Sequence, residues 1–405
     1  MSTKKYLQAA LFSVVVSLVI GGIIIACLGV NPFSAFYNLL QGCGLAPKAK
    51  YGGGKSMLTD LSGYIDCLTP MLFAALSCAV AMKVGLFNIG ISGQMLTAGF
   101  IATITIGYSE LPGIVAKPLV VVIGMLTGMA IGALMGFLKY KFNVNEVVSS
   151  IMLNYIAMYI ISFFIQTQYV DPVSRQSTSI NSTARLTFHQ IQIGDYKYDL
   201  PIGFILAIIA VVVVKFMFDR TDYGFELKAV GLNKTAAEYA GIHVGRTIVS
   251  SMAISGALAG LAGVTYYLGY YASIQPKVLI STGYDAIAVC LLGNSDPVGI
   301  VFSTFLIEII DKGSTYMSSQ AGLESEIADV ITGIILLFSA CNMFFIGLAD
   351  RRKQKKEAEA AAAAGVTQTP ASVSGQTPAP TQAASSGPDS ETAADTTEGK
   401  EGGSL

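Results

Sequence analysis

Tryptophan is absent from this chain of 405 residues, histidine occurs twice and charge is scarce. Asp, Glu, Lys and Arg make up 13% of the residues, where a soluble domain carries about 25%. That shortfall excludes an ordinary soluble globular protein. Without Trp, any interfacial aromatic belt falls to Tyr and Phe. Tyr37, Tyr64, Tyr108, Tyr140, Tyr169, Tyr270 and Tyr284 all fall near predicted span ends. The two histidines, His189 and His243, are far apart in sequence and predicted on opposite sides, which argues against a histidine metal site or catalytic dyad. Six cysteines (Cys27, Cys43, Cys67, Cys78, Cys290 and Cys341) show no metal-ligand spacing and read as small hydrophobes. HExxH and GxSxG are missing, so neither zinc-protease nor serine-hydrolase chemistry is indicated, and the chain reads as a non-enzyme with no metal. GxxxxGK[ST] is missing too, so any use of ATP belongs to a partner chain. A net charge of −1 argues against a nucleic-acid partner.

What is present is apolar sequence: 53% of residues are hydrophobic, and 42 are glycine, a residue favoured in membrane helices. The predicted class is all-α, a polytopic bundle of about eight full spans plus a pair of short or half-length helices, about ten membrane segments in all. The runs are 11–30, 63–82, 83–107, 118–138, 144–169, 201–218, 247–271 and 327–348, with the short pair inside 284–310. Lys4, Lys5, Lys83, Lys139, Lys141, Lys215, Arg220 and the basic run DRRKQKK at 350–356 mark one side as cytosolic and put both termini there. Segments 31–62, 108–117, 171–200, 274–282 and 312–326 then lie outside. Residues 1–350 form the membrane domain. Residues 351–405 form a cytosolic tail, rich in Ala, Pro, Ser, Thr and Gly, that buries no core and reads as disordered.

Polar residues inside the runs are the candidates for a pathway. In 83–107, Gly85, Gly90 and Gly93 interrupt an apolar run that also holds Asn88, Ser92 and Gln94. Irregular backbone at that depth survives when it lines a cavity or is packed in protein. A lining role and close packing through small residues both fit. In 144–169, Glu146, Ser150 and Asn154 recur every four residues and share a helix face. Ser150 and Asn154 fit a pathway or an interhelical hydrogen bond equally. Gly124, Gly128, Gly132 and Gly136 form one smooth packing face, and SGALAGLAG at 255–263 forms another.

Parity requires 284–310 to enter and return, yet about 27 residues are too few for two spans of about 20. Two short helices meeting at GNSDPVG, with Asn294, Asp296 and Pro297 at the tip, satisfy this; one kinked span is the alternative.

Residues 219–246, DRTDYGFELKAVGLNKTAAEYAGIHVGR, are a charged loop between apolar runs and must face water. Inside it, 234–242 reads as a short helix with Gly241 as its stop. Such a segment is either a docking point for another protein or a basic loop that only orients the chain.

Five blocks in order, GLFNIGISGQ (85–94), NEVVSSIMLNYIA (145–157), AVGLNKTAAEYAGI (229–242), SGALAGLAG (255–263) and GYDAIAVCLLGNSDPVG (283–299), resemble the permease subunits of bacterial ATP-binding cassette importers. The branch is that of branched-chain amino-acid, simple-sugar and nucleoside permeases, and the blocks look most like nucleoside permeases. Asn88 stands where sugar permeases of this branch usually have a more acidic block.

The resemblance implies a subunit of the bacterial cytoplasmic membrane without catalysis or bound cofactor. Its partners would be a cytosolic ATPase that consumes ATP, an extracellular solute-binding protein, often a lipoprotein, and a second permease, the same chain or another. Gly231, Asn233, Ala236, Ala237, Glu238 and Gly241 would couple to the ATPase. Asn88, Ser92, Gln94, Ser150, Asn154, Asn294 and Asp296 offer hydrogen bonds suited to a polar uncharged solute. Nucleosides come first and simple sugars second. An ion-coupled transporter is a further alternative, for which Asp66, Asp285 and Glu308 are the candidate acids.

Overall fold

The computed structural model describes residues 3–51, 55–193, 196–322 and 326–340. The tail from 351 lies outside them, as does Cys341. The apolar runs become helices because backbone polar groups in hydrocarbon must be satisfied within the segment.

Helix α1 (Thr3–Cys27) is followed by α2 (Pro32–Gly42), bent from it by 114°. Helix α3 (Met57–Lys83) starts on a reciprocal cap: the Ser56 hydroxyl accepts from Thr59 N at 3.3 Å, and Thr59 Oγ1 accepts from Ser56 N at 3.1 Å. Then come α4 (Ile91–Ala102), which widens into a π-turn at Thr103–Gly107, α5 (Gly113–Phe142) and α6 (Glu146–Phe164), which also ends in a π-turn, Ile165–Tyr169. Strands β1 (Thr187–Ile193) and β2 (Tyr196–Pro201) pair antiparallel, with Phe188 opposite Leu200 and Ile191 opposite Tyr198. Helices α7 (Ile202–Arg220), α8 (Asp222–Leu232), α9 (Lys234–Tyr239) and α10 (Val244–Thr265) follow, the last with a π-turn at Tyr266–Tyr270. Helices α11 (Thr282–Leu292), α12 (Pro297–Ala321) and α13 (Glu326–Ala340) complete the described chain.

The helical class holds, with four differences from the sequence reading. Among the described residues, five helices are long and apolar enough to span, or six if the α1–α2 pair counts, which does not confirm the expected ten or so membrane segments. The shortfall has physical causes: 91–107 and 282–292 are short apolar helices, and α12 carries Glu308, Asp311 and Lys312. Segment 31–62 is not merely polar loop but contains α2 and the first turns of α3, and segment 312–326 is helical through Ala321. The loop at 171–200 holds the hairpin, tied to α3 by Thr187 Oγ1 donating to Asp66 Oδ1 at 2.7 Å. Tyr64 is fully buried rather than interfacial; its hydroxyl donates to Phe305 O at 2.7 Å.

Helices α3, α4 and α10 sit at the centre, with nearly continuous buried residues, while α5, α6 and α7 leave one face outward. The two glycine faces prove to be one interface. At Gly132 a Cβ would stand 2.9 Å from Gly256 Cα, and at Gly256 the same distance from Gly132 Cα. Gly128 lies against the Gly256 carbonyl, and Gly260 against that of Gly124. Backbones meet directly because no side chain intervenes. Gly128→Val is therefore expected to force α5 from α10, at a cost of about 1–3 kcal/mol or more, and to lower the melting temperature of the purified protein. Gly63→Ala, where a Cβ meets nothing within 4 Å, should leave it unchanged.

Candidate translocation and coupling sites

The helical ladder breaks three times around the central helices. The first break, 84–90, separates α3 from α4 and turns at Gly85, whose φ is +73°. Its backbone is satisfied by side chains. Asn88 Oδ1 accepts from Gly90 N at 3.0 Å, and Asn88 Nδ2 donates to Ser255 Oγ at 2.9 Å and Gln94 Oε1 at 3.2 Å. Asn154 reaches across from α6: its Nδ2 donates to Ile89 O at 3.0 Å and its Oδ1 accepts from Gly93 N at 2.9 Å. Ser92 Oγ donates to Ile280 O at 2.9 Å. Gln94 Nε2 and Ser150 Oγ both point at Met135 Sδ, at 3.2 and 3.7 Å. Thus Asn88, Ser92, Gln94, Ser150 and Asn154 come together and are fully buried. Beside them, Gly93, Gln94 and Asn154 form part of the wall of a cavity of about 170 Å³ between α4, α5 and α6.

Three members of this network carry no signal in the pattern read above: Met135, Ser255 and Ser77. Ser77 and Ser255 donate to each other's carbonyls at 2.7 and 2.8 Å and lock α3 to α10. Ser255 opens the small-residue face, so its polar contact is hidden behind a packing motif.

The second break, 293–296, joins α11 to α12. Asn294 and Ser295 both adopt left-handed backbone, with φ of +57° and +51°. Asp296 caps α12 by accepting from Val298 N and Gly299 N at 3.2 and 3.4 Å. Its other oxygen pairs with Lys215 Nζ at 2.6 Å, and Lys215 also pairs with Asp219 at 2.9 Å. Asn294 is exposed and Asp296 part-exposed. Asp296 therefore belongs to an ionic cluster with Lys215 and Asp219 of α7, and neither it nor the exposed Asn294 joins the amide network of Asn88 and Asn154.

The loop at 219–246 is more structured than one short helix, since α8 precedes α9. Asn233 caps α9 by accepting from Ala236 N at 3.1 Å. Ala237 faces inward, whereas Ala236, Glu238 and Gly241 are exposed, Gly241 at φ +84° with open space around it. Leu232 and Tyr239 flank the helix and are 88% and 90% exposed; the sequence reading passed over both. Gly231 packs against the Lys83 carbonyl, and a Cβ at Gly85 would lie 3.4 Å from Gly231 O. A backbone contact thus joins α8 to the first break. Among the described residues, one group has ligand atoms within 4.8 Å of one another, as a metal would need: Cys67, Glu308 and Asp311.

A multi-pass helical bundle with broken central helices and one protruding helix, α9, has the architecture of a transporter's membrane subunit. The chain belongs to the family described as the permease component of the branched-chain amino acid transport system, whose model matches residues 62–340. It is 36% identical over 366 residues to the nucleoside ABC transporter permease protein NupB of Lactococcus lactis subsp. cremoris, covering 88% of this chain and 97% of the relative. It is 33% identical over 338 residues to the guanosine ABC transporter permease protein NupP of Bacillus subtilis, covering 83% and 93%. A glucose ABC transporter permease protein of Haloferax volcanii is 24% identical over 363 residues, covering 86% and 92%.

The network makes a stability prediction. Asn154→Ala leaves a buried N–H at Gly93 and the Ile89 carbonyl without that partner, about 1–3 kcal/mol for each orphaned group. The purified Asn154→Ala protein should melt several degrees lower. Asn294→Gly, at an exposed left-handed position where glycine is at ease, should melt as the wild type does.

Proposed function

We propose that this chain is a permease of an ATP-driven nucleoside importer. The two relatives above 30% identity are named for nucleoside or guanosine transport, while the sugar relative stands at 24%. Neutral amides and hydroxyls at Asn88, Gln94, Ser150 and Asn154 suit a polar uncharged solute. Simple sugars are the second reading.

In this reading a cytosolic ATPase docks on α9. The observation that carries it is the exposure of Leu232 and Tyr239 on either side of a capped one-turn helix. Apolar side chains this exposed, on a segment ringed by Lys228, Lys234 and Arg246, are suited to an interface. ATP-driven motion of α9 passes along α8 to Gly231, through its backbone contact to Lys83 and Gly85, and so to the break that holds Asn88. Rearranging that break frees Asn88, Gln94 and Asn154 from each other and offers them to the solute. Asn294 and Asp296, beside Lys215, are the cytosolic-side members of the path. The ATPase supplies the energy, so this chain needs no catalytic group. Both termini, with Lys4 and Lys5 near the first, lie on the ATPase side by the positive-inside rule. A second permease completes the pore, and a solute-binding protein delivers nucleoside at the hairpin end.

Uptake of labelled guanosine by cells carrying the whole transporter tests this. Uptake should vanish with an ATPase-dead partner. Glu238→Lys and Gly241→Leu should also abolish it while the permease still reaches the membrane. Uptake indifferent to the ATPase, or normal in both variants, contradicts the reading.

A further inference from the structure

Helix α12, at 25 residues, is long enough to cross a membrane, but Glu308, Asp311 and Lys312 deny it the apolar composition of an ordinary span. Its N-terminus is tied by Asp296 to Lys215, a residue that the positive-inside rule sets at the cytosolic edge. At 1.5 Å per residue, Glu308 lies about 17 Å along the helix, near the midplane of a hydrocarbon core of about 30 Å. Glu308 is 2% exposed, and its Oε2 has no hydrogen-bond partner. A carboxyl oxygen left so at mid-depth is costly unless it serves a pathway.

Its surroundings are polar and aromatic. Cys67 of α3 and Asp311 lie within 4.8 Å of the Glu308 carboxyl. Lys312 Nζ donates to Tyr270 OH at 2.8 Å. Tyr270 packs edge-on against Tyr271 with centroids 4.8 Å apart, and Tyr266 meets Tyr271 at 4.9 Å. Lys312 stands one helical turn beyond Glu308 on α12, so its bond to Tyr270 brings ring cluster and carboxyl into one region. A cavity of about 100 Å³ opens beside the rings, with Gln176, Ser273 and Gln275 in its wall. The third break in the helical ladder, the extended stretch 271–281, runs along it. That stretch is held at its ends by Ser177 N donating to Ile274 O at 3.0 Å and by Ser92 Oγ on Ile280 O. Helix α11 reaches the amide network through Tyr284, whose hydroxyl lies 3.4 Å from Asn154 Nδ2.

We propose that Glu308 is a specificity-determining residue of the translocation path, its free carboxyl oxygen accepting the 2′ and 3′ hydroxyls of a ribose while the tyrosine cluster stacks on the base. This rests on the nucleoside reading. A vicinal diol presents two donors close together, which a carboxyl group can accept side by side. Tyrosine rings hold a planar base without charge. Lys312, held on Tyr270, places an ammonium near the carboxyl and makes the group a poor seat for a metal cation. The path is closed around Glu308 in the conformation seen, and alternating access opens it.

The test compares labelled guanosine with 2′,3′-dideoxyguanosine in cells carrying the complete transporter. The wild type should prefer guanosine. Glu308→Gln, close in shape, should raise the KM for guanosine at least about tenfold at unchanged membrane abundance and bring the two substrates level. Tyr270→Phe should weaken both substrates together, since it releases Lys312 without removing the diol acceptor. Wild-type KM and preference in Glu308→Gln would overturn the proposal, as would a wild type indifferent to the missing hydroxyls. A wild type that imports no nucleoside refutes the nucleoside reading itself, and the proposal with it, before any variant is compared.

Discussion

Hydrocarbon offers no hydrogen bonds, so a membrane helix that stops must have its loose N–H and C=O groups taken up by protein. Around the central helices the ladder stops at 84–90, 271–281 and 293–296, and each break is stitched by named side chains or strands. Asn88 and Asn154 hold 84–90, Ser177, Ile180 and Ser92 hold 271–281, and Asp296 holds 293–296. The buried amides Asn88 and Asn154 and the capping Asp296 all lie in a break or hydrogen-bond directly to one. Polar groups are gathered there because the broken backbone needs them.

The breaks work only on a rigid frame. Glycine contacts weld α5 to α10, and the paired hydroxyls of Ser77 and Ser255 weld α10 to α3. Against that frame, α8 touches the first break through Gly231. A short chain of contacts thus runs from solvent-exposed α9 through α8 to the break that holds the buried amides. The opposite end is tied differently, by the hairpin bonded to Asp66 and by backbone bonds from Leu186, Ile180 and Ser177 to the carbonyls of Leu268, Ala272 and Ile274.

Much of this was legible before the structure. Apolar runs, glycine periodicity and the parity argument for a break near Asn294 depend only on composition, spacing and length, and they located most helices, the α5 and α10 faces and the tip at 293–296. The helix inside 219–246 was legible from its alanines and its glycine stop. Tertiary context was not. The hairpin forms where Thr187 finds Asp66, and α2 forms where Leu39 packs on Gly313; neither partner is near in sequence. Asn294 and Asp296 shared a polar character with Asn88 and Asn154, but the fold leaves Asn294 exposed and sets Asp296 on Lys215. Glu308 entered only as an acid for an ion-coupled alternative, because burial and an empty hydrogen-bond site cannot be read from hydropathy.

The most direct test of how energy enters the bundle is a photoreactive benzoyl-phenylalanine placed at position 239, where an exposed tyrosine ring already stands. Illumination of cells carrying the whole transporter should join this chain to its ATPase and stop nucleoside uptake in proportion to the joined fraction. Attachment only to lipid or to a protein on the outer face, with uptake undisturbed, would show that α9 is not where the motor docks.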